Sequence, residues 1–166
     1  MEKVSINQSI RLTPHFTLGE VTKSKHTEIY NIPSRVAIEN LKRVCAGLEE
    51  LRFTYNALYC LKPGEDYETS KNVEPIIINS GYRSPELNKK VGGSATSNHL
   101  TGCAVDIRVA GIEQALRYAV ILMDYADETK QDYDEILIER NKSGGYWLHF
   151  AVRPSDNRRK VRLIQT

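Results

Sequence analysis

"SNHLTGCAVDIRV", residues 97–109, decides how the rest of the chain is read. Its second half alternates Val105, Asp106, Ile107, Arg108 and Val109, the period-two pattern of a half-buried strand. Its first half sets an imidazole, His99, at the mouth of that strand, seven residues before the Asp106 carboxylate. Such a pair suits a metal site, but a mononuclear site needs a third ligand from elsewhere in the chain. Either residue can also serve purely structural ends, so the spacing alone leaves both readings open.

The bulk properties narrow the setting. A chain of 166 residues can build one domain with a real core, and we expect a single domain over residues 1–166. Hydrophobic residues make up 40% and charged residues 27%, the balance of a globular protein. A formal charge of +2 is too mild for phosphate-backbone binding, so no nucleic-acid partner is expected. The basic stretch "RPSDNRRKVR", residues 153–162, reads as a solvated edge rather than a contact for an anionic polymer. The opening "MEKVSINQSIRLTPHF" lacks the basic-then-apolar order of a signal peptide, and no run approaches membrane-spanning length. Cytoplasmic synthesis, a mature form or delivery by another route are the expectations, with a monomer as the expected state. Cys45, Cys60 and Cys103 show no C-x-x-C spacing and read as free, mostly buried thiols.

Outward from the opening stretch, the elements follow one another. "HFTLGEVTKS", residues 15–24, begins with alternation and ends in Ser/Thr turns. Pro33 excludes helix at Ile32, and Ser34 suits an N-cap. Ala37, Leu41, Val44, Leu48, Leu51 and Tyr55 then mark one stripe of a long helix. Residues 61–75 form a polar loop, and "IIIN", residues 76–79, a short strand. A short helix follows, capped by Ser84, with Pro85 at its first position and Gly92 at its exit. Ile112, Ala115, Leu116, Ala119, Leu122, Met123 and Ala126 predict a second amphipathic helix. "YDEILIE", residues 133–139, and "YWLHFAV", residues 146–152, read as a hairpin around "RNKSGG". This order predicts an α+β fold, a small mainly antiparallel sheet flanked by helices, not a βαβ repeat.

The hairpin supplies the third ligand. Alternation puts Trp147, His149 and Ala151 on one face of the last strand and Leu148, Phe150 and Val152 on the other. Asp106 shares its face with Ala104 and Arg108. If the two strands are sheet neighbours, His149 and Asp106 converge on one side, with His99 at the strand's mouth. Two imidazoles and one carboxylate suit catalytic zinc, leaving one position for water.

"SGYRSPELNKKVGGSATSNHLTGCAVDIRV" followed by "WLHFAV" closely resembles the zinc D-Ala-D-Ala carboxypeptidase-like family. That family has the hedgehog/DD-peptidase fold and cuts peptide stems of bacterial cell walls. Its Ser-x-His, Gly-x-Ala-x-Asp and Trp-x-His elements correspond here to Ser97 and His99, to Gly102, Ala104 and Asp106, and to Trp147 and His149. "FTLGEVTKS" and the "NIP…NLKRV" helix are similar to the phage- and prophage-type branch. The resemblance spans roughly residues 16–153.

The resemblance implies one Zn2+ ion on His99, Asp106 and His149, activating a water toward a peptide bond. It also implies a carboxylate that moves the water's proton to the leaving amine. Many members place that acid three residues before the last histidine, where this chain has Tyr146, a phenol unsuited to the task at neutral pH. Some branches of the fold place their glutamate at this strand end, so the resemblance assigns Glu139, at the end of "EILIE", as the base. Odd positions paired with odd would put it on the His149 face, and the alternative is a solvated strand end. Glu135, further down the same face, is the weaker candidate. Arg83 is expected to hold a substrate carboxylate or stabilise the oxyanion, unless it makes only a helix-start salt bridge. Ser97 either binds substrate or shapes the turn. Cys103 has the parity of Val105, opposite Asp106, and is read as core.

The function expected from all this is zinc-dependent hydrolysis of peptidoglycan stem peptides, as a carboxypeptidase or an endopeptidase. The alternative is a noncatalytic zinc-containing wall-binding or virion module. Without a leader, release to the wall by a phage or prophage lysis system fits, and so does a cytoplasmic role on recycled wall peptides.

Overall fold

Ser34 starts the longest element. Its Oγ accepts the Ala37 N–H at 3.1 Å, and helix α1 runs Arg35–Tyr59. Ala37, Leu41, Val44, Leu48, Leu51 and Tyr55 form its buried stripe, as the sequence spacing predicts. The computed structural model describes residues 6–166; the expectation about the leader falls partly on residues 1–5, outside the described residues.

Before α1, strands β1 (Arg11–Thr13) and β2 (Phe16–Thr17) form a small antiparallel ribbon. The alternation expected over residues 15–24 yields only β2, and the rest is turns. There Leu18 and Val21 turn into the core instead of extending a strand. After α1 come β3 (Ile78–Ser80), helix α2 (Pro85–Lys90) and a turn of 3-10 helix (Asn98–Thr101). Ser84 caps α2 by accepting the Leu87 N–H at 3.2 Å, with Pro85 at the first turn. Next are β4 (Ala104–Arg108), helix α3 (Ile112–Thr129), β5 (Glu135–Arg140), β6 (Tyr146–Ala151) and β7 (Lys160–Gln165).

The last five strands make one sheet in the order β3-β4-β6-β5-β7, antiparallel except for the β5–β7 pair. The fold is α+β. Asp106 pairs directly with His149, and Ile107 with Leu148, so β4 and β6 are neighbours as the convergence of ligands requires. One face of the sheet carries Val105, Ile107, Ile136, Ile138, Leu148 and Phe150, which join α1 and α3 in the core. Full burial of such side chains stabilises by about 1.5–3 kcal/mol each.

The expected face of α3 needs correction. Ile112 and Leu116 lie outward on α3, and Tyr118 and Ile121 are buried in their place. The Tyr118 ring stands edge-on to Tyr55 at 4.8 Å between centroids, and that contact sets the helix's rotation. The basic stretch 153–162 has no buried residue, as expected of a solvated edge, and its end forms the start of β7, the edge strand parallel to β5. All three cysteines are free, with Cys45 and Cys103 buried. Among the described residues, no helix is long and apolar enough to cross a membrane.

Candidate metal centre

The 3-10 turn sets His99. Ser97 Oγ accepts the His99 N–H at 3.2 Å, and Asn40 of α1 donates to the Thr101 carbonyl at 2.9 Å. Gly102 closes the turn at φ +73°, where a Cβ would stand 2.5 Å from the Ala37 carbonyl oxygen. Glycine alone satisfies both the left-handed backbone and that approach to α1. The His99 ring is then oriented by the Gly81 carbonyl, 2.7 Å from Nδ1. A carbonyl only accepts, so Nδ1 is the donor there and Nε2 is the nitrogen turned to the cluster. That Nε2 lies 3.3 Å from Asp106 Oδ2.

Asp106 projects from β4 between the two imidazoles. His149 Nδ1 is 3.0 Å from its Oδ1, and Arg83 Nη2 donates to its Oδ2 at 2.9 Å. One donor atom from each of His99, Asp106 and His149 falls within 4.8 Å of the others, and all three residues are buried. Two imidazole nitrogens and a carboxylate oxygen, each held by a further contact, fit the three-ligand set of a zinc site with an open position. The arrangement can hold a metal ion.

The electrostatics favour a cation. Burial disfavours charge on Asp106, yet the neighbouring His99 and His149 hold its carboxyl far below the usual range. Burial likewise pulls His149 down, but Asp106 and Glu135 on its two sides push it up to about 9. Glu135 Oε2 is 3.0 Å from His149 Nε2. That hydrogen bond holds the Glu135 carboxyl at about 2 against the opposing effect of burial, helped by the charge of Arg158. Glu139 moves the other way: burial raises it, and the Asp106 charge adds to the rise.

The remaining sequence candidates are placed as follows. Glu139 pairs with Trp147 and Leu137 with His149, so Glu139 shares the His149 face of the sheet. Glu139, Glu135, His149, Ser97 and Asn98 line one cleft of about 450 Å3. Arg83 binds Asp106 and, through Nε, Ser80 Oγ at 3.0 Å; its Nη1 has no hydrogen bond among the described residues. Cys103 is buried on the core side. His15 stands apart, its Nδ1 2.7 Å from Glu49 Oε2. Glu135, ranked behind Glu139 on the sequence, is the glutamate in direct contact with the His149 ring.

Sequence reasoning missed Asp134, Arg153 and Arg158. Asp134 is fully buried beneath the cleft; Arg158 donates to it through Nε at 2.9 Å and Nη2 at 2.7 Å, and Asn98 Nδ2 donates at 2.7 Å. Arg153 Nε donates to Asn98 Oδ1 at 2.9 Å. No local motif joins residues so far apart. The one available signal was the clustering of arginines after a strand that begins Asp134-Glu135.

The Peptidase M15 family matches residues 14–131, more than half of the chain, including His99 and Asp106. The chain belongs to the peptidase M15 family. M15 peptidases are zinc-dependent hydrolases, and the buried His99, Asp106 and His149 could hold a metal ion. His149 and both glutamates lie beyond the part matched to M15, so their placement rests on the sheet register. No curated protein matches the chain.

Proposed function

We propose that the protein hydrolyses peptide bonds in the stem peptides of bacterial peptidoglycan, in the manner of the phage- and prophage-type branch of the family. The observation that carries this is the buried His99, Asp106 and His149 cluster beside an open cleft in an M15 chain. His99, Asp106 and His149 would hold the zinc. A zinc ion there would polarise a water and lower its pKa to about 7.

Glu139 would take the proton from the attacking water and deliver it to the nitrogen of the leaving amine. Its place on the His149 face and its raised pKa support this over Glu135, which is held ionised and already engaged. Arg83 keeps Asp106 oriented and directs its spare Nη1 at a substrate oxygen, either the carboxylate or the developing oxyanion. Ser97 shapes the His99 turn and borders the cleft where a peptide would lie.

The test is purified protein on isolated sacculi, with and without chelator, followed by mass analysis of the soluble products. Release of amines that stops with chelator and returns with zinc is the expected result. The masses separate loss of a terminal D-Ala from a cut within the stem. Binding to sacculi with full zinc and no release would replace this reading with the noncatalytic wall-binding module.

A further inference from the structure

The two imidazoles of the cluster are held in opposite ways. His99 gives its Nδ1 proton to the Gly81 carbonyl and turns Nε2 toward Asp106. His149 turns Nδ1 toward Asp106 and Nε2 away, to Glu135. Glu135 is flanked by cations: Arg158 Nη2 donates to Oε1 at 2.9 Å, and Lys160 Nζ is 3.7 Å from the same oxygen. Between those charges the carboxylate is an acceptor only, so the proton in the Glu135–His149 bond sits on Nε2.

The geometry points to Glu135 as the positioning residue that keeps the proton on Nε2 of His149 and so, once a metal ion replaces the Nδ1 proton, presents Nδ1 to the metal. This rests on the reading of His99, Asp106 and His149 as a metal site, and it is independent of which peptide bond is cut.

Glu135 is itself held by a network. Arg158 bridges it to the buried Asp134, while Asn98 donates to Asp134 and, at 3.3 Å, to Glu135 Oε2. Asn98 directly precedes His99, so one set of hydrogen bonds ties the supports of two ligands together. The C-terminal segment reaches the centre in this way without contributing a ligand. Glu139 lies one register step to the other side of His149, opposite Trp147, and the ring's Nε2 bonds Glu135 instead.

The site's asymmetry makes the inference testable without turnover. In zinc-loaded protein carrying 15N-histidine, two-bond proton–nitrogen correlation spectra should show His149 as the Nε2–H tautomer and His99 as the Nδ1–H tautomer. Zinc affinity is then measured by competition with a chromogenic chelator. Loss of such an outer partner typically weakens metal binding 10–100-fold, and Glu135→Ala should fall in that range. Glu135→Gln should recover part of the loss, because its amide oxygen can face Nε2 only by turning its NH2 toward Arg158. An Nδ1–H tautomer at His149 overturns the proposal, and so does wild-type zinc affinity in Glu135→Ala. If Glu135→Ala does not fold, the wild-type tautomer decides. Failure of the wild-type protein to bind zinc removes the metal site itself, a result distinct from any of these.

Discussion

Val105 and Asp106 are covalent neighbours on β4, yet they belong to regions with opposite rules. Val105 joins the apolar face against α1 and α3, where many similar side chains share the work of excluding water. Asp106 belongs to the other face, where His149, Glu135 and Glu139 alternate with the core residues of β5 and β6. On the first face the interactions are non-directional, and one methylene is worth about 0.8 kcal/mol wherever it lies. On the second, His149, Asp106 and Glu135 each have a named partner at hydrogen-bond distance. Moving one position along a strand therefore changes the consequence of a substitution from stability to chemistry.

Substitutions can break that contrast. The largest effect is expected on the chemical face. His149→Ala deletes one of the three proposed ligands, and zinc should no longer survive desalting, measured by metal analysis of the purified protein. Glu139→Gln should retain zinc and the fold while kcat falls by about 10²–10⁴-fold. Full activity in that variant would move the base elsewhere. On the apolar face, Leu148→Ala should cost about 2–5 kcal/mol in denaturant unfolding, because Leu148 is fully buried. Its native fraction should still bind zinc stoichiometrically, and loss of the metal instead would show that the faces are coupled.

The smallest effect comes from acid. Burial would raise the Asp134 carboxyl, but its hydrogen bonds to Arg158 and Asn98 lower it to about 2 from an ordinary 3.8. The folded state then binds fewer protons than the unfolded state as pH falls through that window. The stabilisation is complete above about pH 4 and lost toward pH 2, and amounts to about 2 kcal/mol. Asp134→Asn should flatten the profile of unfolding free energy against pH over that range. An unchanged profile would show that the Arg158 pair contributes nothing.

Much of the contrast was legible in the sequence because alternation is a local signal. The pattern in 104–108 and 146–151 assigned residues to faces, and Ser34 and Ser84 marked helix starts that the hydrogen bonds reproduce. Register parity put Glu139 and Glu135 on the His149 face. What escaped depends on distance. The Asp134–Arg158 pair spans a turn, a hairpin and a loop, and nothing in either neighbourhood announces it. β7 reads as a basic tail because an edge strand can leave Val161 and Leu163 exposed. The order of Glu135 and Glu139 along β5 was visible, but which one touches the imidazole depends on side-chain reach.

The sheet order has a consequence for how the protein comes into being. β4 and β6 are adjacent in space although α3 and β5 lie between them in the chain. His99 and Asp106 are made early and close together, whereas His149 joins them only when β6 docks against β4. Such non-local pairing pays its loop-closure entropy before any contact returns it, and it slows folding. A nascent chain emerging from its N-terminus thus completes α1, β3, β4 and α3 while holding only two of the three proposed ligands. Capture of a metal by all three would then follow the topology and stabilise it by mass action rather than dictate it.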